Sequence, residues 1–202
     1  MKIVAMIRKE IREVPPGEPF TTGRFLSLGT RANVDQSLSR LVKTGVIERV
    51  ARGVYVRPKE NRYVGKLMPE PLKVAQAVAA ASGAVLQVQG AEAARRFGLT
   101  TQVPAQPVFM TNGPSRHLRV GNMNIELKHT SSRKLALAGS PAGLALAALW
   151  YLGRREVTAG TISAIHAKLS SEEFATLKSS VTAMPGWMND AIRKYEGSRS
   201  DA

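Results

Sequence analysis

Between Thr30 and Arg57 the hydrophobic period changes once, and that change restricts the fold more than any other feature of the chain. Val34, Leu38, Leu41 and Val42 recur at i, i+4, i+7 and i+8, so they share one face of a helix. Thr30 is placed to cap that helix and Gly45 to stop it. After Gly45 the pattern is that of strands. Ile47, Val54 and Val56 are strand formers, and "ARG" supplies a tight turn at Gly53. Upstream, Ile3, Ile7, Ile11 and Val14 predict a first helix, with Lys2, Lys9 and Arg12 off its apolar face. "PPGEP" ends it. Phe20 starts a short strand, and Thr21 or Thr22 caps a short second helix carrying Phe25, Leu26 and Leu28, stopped by Gly29. Helix, short helix, turn, helix and hairpin is the order of a winged helix-turn-helix, whose third helix enters a major groove while the hairpin touches backbone or minor groove.

The charge is distributed to suit that order. At about 100° per residue, Gln36, Arg40 and Lys43 fall opposite the apolar face, flanked by Ala32, Asn33 and Ser39. Only Asp35 lies near them, toward the edge. The hairpin adds Arg49, Arg52 and Arg57. Over the whole chain 29 Lys+Arg face 15 Asp+Glu, a formal charge of +14, and residues 1–66 alone hold 14 against 6. Such an excess favours an anionic partner, nucleic acid above all. The expected interface is therefore double-stranded DNA. Arg31, Asn33, Gln36 and Arg40 face base edges or adjacent phosphates, since Arg can grip guanine and Gln adenine in pairs of hydrogen bonds. Lys43, Arg49, Arg52 and Arg57 hold phosphates and set register.

Cysteine is absent, which excludes disulfides and Cys-ligated zinc and is compatible with a reducing, cytoplasmic setting. "MKIVAMIRKEIREV" carries charge through its apolar stretch, unlike a signal peptide. No run of about 18 apolar residues exists to span a bilayer, so no membrane partner is expected.

"LMPEPLK", with two prolines, suggests a boundary. The predicted organisation is α+β: a winged helix-turn-helix over 1–66, a mixed α/β domain ending in helices over 67–197, and a flexible tail over 198–202. In the second part "PEPLKVAQAVAAASG" reads as a helix with Pro near its start and Gly83 at its end. "AVLQV" reads as a strand and "GAEAARRFG" as a helix closed by Gly98. "PVFMT", "RHLRV" and "NIELKH" read as strands, with "VGNM" as a hairpin turn. "SPAGLALAALWYLG" is a buried helix capped by Ser140 and ending at Gly153, with Trp150 and Tyr151 in the core, as is Trp187. Thr158 opens another helix, Ser170 and Glu173 form a capping box, and "WMNDAIRKYEG" is a final helix after Pro185 and Gly186.

Catalytic constellations are sparse. Asp35, Asp190 and Asp201 lie in different segments, and His117, His129 and His166 have no metal-ligand spacing. Neither a metal nor a cofactor is expected. Glu126 and Lys128 share a strand face, as in metal-dependent nucleases, but no second carboxylate accompanies them: residues 93–125 hold no Asp or Glu. No phosphate-cradling Gly-rich loop and no Gly-x-Ser-x-Gly elbow is present. The chain is therefore expected not to be an enzyme. Arg116 and Arg119 in "GPSRHLR", with Lys128, Arg133 and Lys134 in "KHTSSRK", form a possible second basic patch able to meet nucleic acid, with RNA as one candidate.

Two stretches carry a family resemblance. "FTTGRFLSLGTRANVDQSLSRLVKTGVIERVARGVYV" resembles the winged-helix domain of the AbiEi family of type IV antitoxins, most clearly over Leu41–Val56. "GAEAARRFGLTTQVPAQPVFMTNG" followed by "RHLRVGNMNIELKHT" is similar to that family's second domain. The resemblance runs from about residue 1 to 153. It implies a phage-defence antitoxin that represses its own operon by binding its promoter. It also implies a second domain opposing a nucleotidyltransferase-like toxin encoded nearby, a functional rather than a stable physical partner. The alternative from the residues alone is a stand-alone winged-helix transcriptional regulator with a ligand- or RNA-binding second domain.

Overall fold

A computed structural model describes residues 3–61, 65–120 and 122–200. In chain order the helices are α1 (Ile3–Glu13), α2 (Arg31–Lys43), α3 (Pro71–Ala80), α4 (Gly90–Arg96), α5 (Pro141–Glu156), α6 (Ala159–His166), α7 (Ser171–Ser179) and α8 (Gly186–Ser200). The strands are β1 (Pro19–Thr21), β2 (Glu48–Ala51), β3 (Val54–Val56), β4 (Lys59–Asn61), β5 (Gly65–Leu67), β6 (Leu86–Val88), β7 (Val108–Thr111), β8 (Arg116–Val120) and β9 (Met123–His129). The protein is α+β. Its sheets run β1-β3-β2, β4-β5 and β6-β7-β9-β8.

The chain divides into two compact units. The first runs to Ala84 and takes in Arg116–Glu126; the second holds Val85–Ser115 and the chain from Leu127 onward. This differs from a division at Leu67. Pro71 does not end a domain but sits in the first turn of α3, where a missing N–H costs nothing. α3 buries Val74, Ala75, Val78 and Ala79, and packs on β1 and β3. Its Lys73 ammonium lies 2.6 Å from the Glu18 carboxylate in the "PPGEP" break, and that hydrogen bond holds Lys73 above the ordinary lysine range. β8 returns from later in the sequence to lie beside β2.

The first unit folds around Ile7 and Ile11 of α1, Phe20 of β1, Phe25 of the segment after it, Val34, Leu38 and Leu41 of α2, Ile47, and Tyr55 of β3. Phe20 meets Phe25 edge-on at 5.7 Å and stacks on Tyr55 at 6.1 Å, so a short strand contributes an aromatic anchor. β3, buried at all three residues, takes the centre of the sheet between β1 and β2, antiparallel to both. The segment Thr22–Leu28 is a 3-10 helix rather than an α-helix, and Thr21 makes no side-chain cap. Gly29 does not serve a left-handed turn: its backbone is extended, and a Cβ there would meet the movable end of Ile3, at Cδ1. The β4-β5 pair, Lys59 opposite Leu67, is an element the hydrophobic pattern does not announce, being too polar and too short.

The second unit is built on α5. Ala142, Ala145, Leu146, Ala148 and Leu149 are buried and meet Ala93, Ala94 and Phe97 from α4, with Ile162, Ile165, Phe174, Leu177 and Met188 from the later helices. Small residues on α4 and α5 let these two helices approach closely. The local stops fall where the side chains dictate: Ser140 caps α5 through Gly143 N at 3.0 Å, and helical geometry breaks at Gly153 (φ 74°). Ser170 and Glu173 form their capping box. Thr158 and Thr161 form another. α8 runs on to Ser200, so the segment from 198 is helical where a loose tail was expected; residues 201 and 202, like Gly121 of the expected "VGNM" turn, lie outside the described residues.

Candidate nucleic-acid interface

α2 is locally well specified. The Thr30 hydroxyl accepts from Asn33 N at 3.4 Å. At the other end Gly45 (φ 71°) lets Val46 N reach Leu41 O at 3.0 Å and Gly45 N reach Val42 O at 3.0 Å, the paired bonds of a Schellman stop. Val34, Leu38 and Leu41 are buried, as is Ser37, whose hydroxyl donates to Asn33 O at 2.7 Å. Arg31, Asn33, Gln36, Arg40 and Lys43 are all exposed, on the outer surface where the period predicts them. Arg40 and Lys43 also stand in the last turn, where cations offset the helix dipole. Arg31 Nε pairs with Asp35 at 2.9 Å across one turn. An exposed pair of that kind contributes only about 0.3–0.5 kcal/mol, so Arg31 can exchange it for a phosphate.

The hairpin's arginines differ from one another. Arg52 is exposed at the turn beside Gly53 (φ 74°). Arg49 is exposed but donates from Nε to Ala51 O at 3.3 Å, across the register shift in β2. Arg57 is half-buried, and its Nη1 donates to Arg12 O and Val14 O, each at 2.7 Å. Those carbonyls lie at the end of α1, so Arg57 ties the strand's exit to the first helix. The Nη1 of Arg57, expected among the phosphate contacts, is engaged in a structural one.

The first unit contains a groove of about 940 Å³ whose wall includes Thr21, Arg31, Arg52, Arg116, His117 and Arg119. Arg31 comes from the start of α2, Arg52 from the hairpin turn, and Arg116, His117 and Arg119 from β8. β8 alternates here: Leu118 and Val120 are buried, while Arg116, His117 and Arg119 are exposed. Residues 85 positions apart in sequence thus line one basic wall. Thr22, 3% exposed, lies on the same wall with a hydroxyl that has no hydrogen-bond partner among the described residues.

The expected second basic patch is therefore not one patch. Arg116 and Arg119 join the groove of the first unit. Lys128, Arg133 and Lys134 belong to the second unit, where Lys134 Nζ stands 5.0 Å and Arg133 Cζ 5.7 Å from the Trp150 ring centre. Arg133 Nε also donates to Ala183 O at 3.3 Å. Trp150 is half-buried against the core, but Tyr151 is 45% exposed; one face of α5 turns outward at that position, and the aromatic pair straddles the boundary. His166 stacks on Phe174 at 3.9 Å and its Nδ1 hydrogen-bonds with Tyr195 Oη at 3.0 Å. Among the described residues no group of three or more His, Asp and Glu side chains is placed to hold a metal ion. No helix among them is long and apolar enough to cross a membrane.

Residues 6–177 match the model of a family described as of unknown function (DUF6088). No curated protein and no solved structure matches the chain.

Proposed function

The chain belongs to that family of unknown function, the match spanning both units, and from this premise we propose that it is a DNA-binding regulator whose first unit acts as a winged helix-turn-helix. The observation that carries the reading is the groove uniting Arg31, Arg52, Arg116 and Arg119, next to an α2 whose outer face offers Gln36, Arg40 and Lys43. α2 is the element that enters the major groove. Its Asn33, Gln36 and Arg40 read base edges, for which amide and guanidinium groups have the matching donors and acceptors. Lys43, Arg52 and Arg116 hold phosphates on either side and fix the register. β8 extends the wing with cations that the first 66 residues do not contain.

The physiological role in this reading is that of an AbiEi-like antitoxin acting in the cytoplasm. It represses its own operon and opposes a nucleotidyltransferase-like toxin encoded beside it. The sequence resemblance over Leu41–Val56 and through "GAEAARRFG" supports this part, and the charge of +14 supports a nucleic-acid partner. The test is fluorescence anisotropy with the protein's own upstream DNA at low ionic strength. Saturable binding, tighter to that duplex than to a scrambled one, is the expected result. No affinity for duplex DNA, or tighter binding to structured RNA, rejects it. A toxin-like reading frame downstream, whose expression arrests growth unless this chain is present, tests the antitoxin role separately.

A further inference from the structure

The first unit holds a second basic recess, of about 500 Å³, that shares no residue with the groove. Its wall includes Arg8, Arg12, Gly45, Val46, Arg57 and Pro58, and none of its lining residues is Asp or Glu. It lies where α2 ends. Arg31 of the groove begins that helix and Gly45 follows its last turn, about 20 Å away at 1.5 Å per residue.

The sequence sets up a charge here that the fold does not answer. Arg8 and Arg12 stand one turn apart on α1, where like charges repel. The other helical neighbours of Arg8 are Val4, Ala5 and Ile11, whereas Lys9 has Glu13 four positions on. Arg12, in the last turn, offsets the helix dipole. Arg8, in mid-helix, has no such role. Both side chains are exposed, and no carboxylate among the described residues pairs with Arg8, Arg12 or Arg57.

Arg57 makes the third side of the recess and is held in place. Its Nη1 donates to Arg12 O and Val14 O, each at 2.7 Å, so the guanidinium is fixed against the backbone of Arg12 itself. A guanidinium carries five N–H donors, and those on Nε and Nη2 take no part in these bonds. Neither nitrogen is among the buried unpartnered side-chain nitrogens of the described residues, so both keep an open surface. The helix-end carbonyls that would repel an anion are already engaged: Leu41 O and Val42 O by Val46 N and Gly45 N, and Arg12 O and Val14 O by Arg57. One fixed guanidinium with an open edge, two more on one helix face and no carboxylate suit a group with several charged oxygens.

We propose that this recess is a binding site for a phosphate group. Its oxygens accept from Nε and Nη2 of Arg57 and from Arg8 and Arg12. The group belongs to a free small anion or to the backbone of a bound duplex, and the recognition chemistry is the same for both. The site uses no residue of the DNA-binding groove, so it stands or falls independently of the DNA reading.

Inorganic phosphate in the millimolar range is the probe, at constant pH, with sodium chloride of equal ionic strength as the control. Phosphate is expected to raise the melting temperature of the full chain saturably, by about 3–6 °C at roughly ten times its dissociation constant. Chloride is expected to give no saturable shift. The double variant Arg8→Gln, Arg12→Gln is expected to lose the shift, read against its own unliganded melting temperature. Arg52→Ala with Arg116→Ala, which disarms the groove, is expected to keep it. Arg8→Gln alone is expected to weaken phosphate about tenfold, the scale of a hydrogen bond to a charged group, and serves where the double variant folds poorly. Affinity for the upstream duplex then assigns the source. Binding unchanged in the double variant supports a free phosphate. A loss equal at every sequence, with the salt slope reduced by about two units, supports a backbone phosphate. No saturable shift with phosphate overturns the proposal. So does a shift that survives in the double variant, or one that disappears with Arg52 and Arg116.

Discussion

The Arg57 guanidinium lies 2.7 Å from the main-chain oxygen of Val14, 43 residues earlier in the chain, and equally close to that of Arg12. A residue that reads as a phosphate contact by its place after the hairpin also closes the end of α1 against β3. Truncating it leaves the part-buried Val14 carbonyl short of a donor, while the exposed Arg12 carbonyl turns to water. Arg57→Ala is expected to lower stability by about 1–3 kcal/mol, whereas Arg52→Ala, exposed at the turn, should stay within about 0.5 kcal/mol. Urea denaturation of the two variants checks this, and equal midpoints would remove the structural role of Arg57.

The groove predicts a shared electrostatic footprint. Arg52→Ala and Arg116→Ala should each weaken DNA binding similarly at every sequence and each reduce the slope of log K against log salt by about one unit. The two come from a turn and a strand more than sixty positions apart, so a loss at Arg52 with none at Arg116 would place DNA on the hairpin alone.

Base reading should segregate to the outer face of α2. Gln36→Ala or Arg40→Ala is expected to cost about 1–3 kcal/mol on the specific site and relax preference at one position. Competition against a library of single-base operator variants measures it. If Arg40→Ala and Arg52→Ala gave the same preference profile, the separation of reading from holding would be wrong.

Acid should expose the role of Glu92. Its carboxylate takes Arg95 Nε at 2.6 Å and Arg96 Nε at 3.0 Å, and the hydrogen bond from Arg95 is the main reason it stays below its ordinary value of about 4.5. A carboxylate held down in the folded state stabilises above its unfolded pKa and loses that contribution as pH falls through the folded one. Glu92→Gln should therefore be less stable by roughly 1 kcal/mol or less at neutral pH, a modest figure because the pair is partly solvated. The difference should be constant above about pH 5.5 and vanish in the most acid range. Melting curves of both proteins across pH 2–7 test it; a difference that grows on acidification would reverse the sign.

Two glycines in helices should respond in opposite ways to alanine. A Cβ on Gly143 of α5 would overlap the Leu137 carbonyl and press on Gln87 Nε2, at 3.0 Å. Gly143→Ala is expected to destabilise by about 1–3 kcal/mol despite alanine's better helix propensity. Gly197 in α8 is exposed and meets nothing within 4 Å, so Gly197→Ala should be neutral or gain up to about 1 kcal/mol. Thermal unfolding distinguishes the pair.

How much of this was legible beforehand depended on the range of the interaction. The limits of α2 rest on Thr30, on Gly45 and on a period that repeats every few residues, and the capping box at Ser170 needs only Glu173 three positions on. Each of those contacts is made within about a turn of chain, so the sequence alone determined where α2 and α7 begin, where α2 stops and which face of α2 is outward. The partner of Arg57, the return of β8 to β2 and the gathering of Arg116 with Arg52 were decided by the tertiary structure. They join segments tens of residues apart, and nothing in local spacing encodes where a distant carbonyl or strand edge will lie. The same holds for Trp150: its place in an apolar helix brings it to the core, but only packing leaves its indole nitrogen without an acceptor among the described residues.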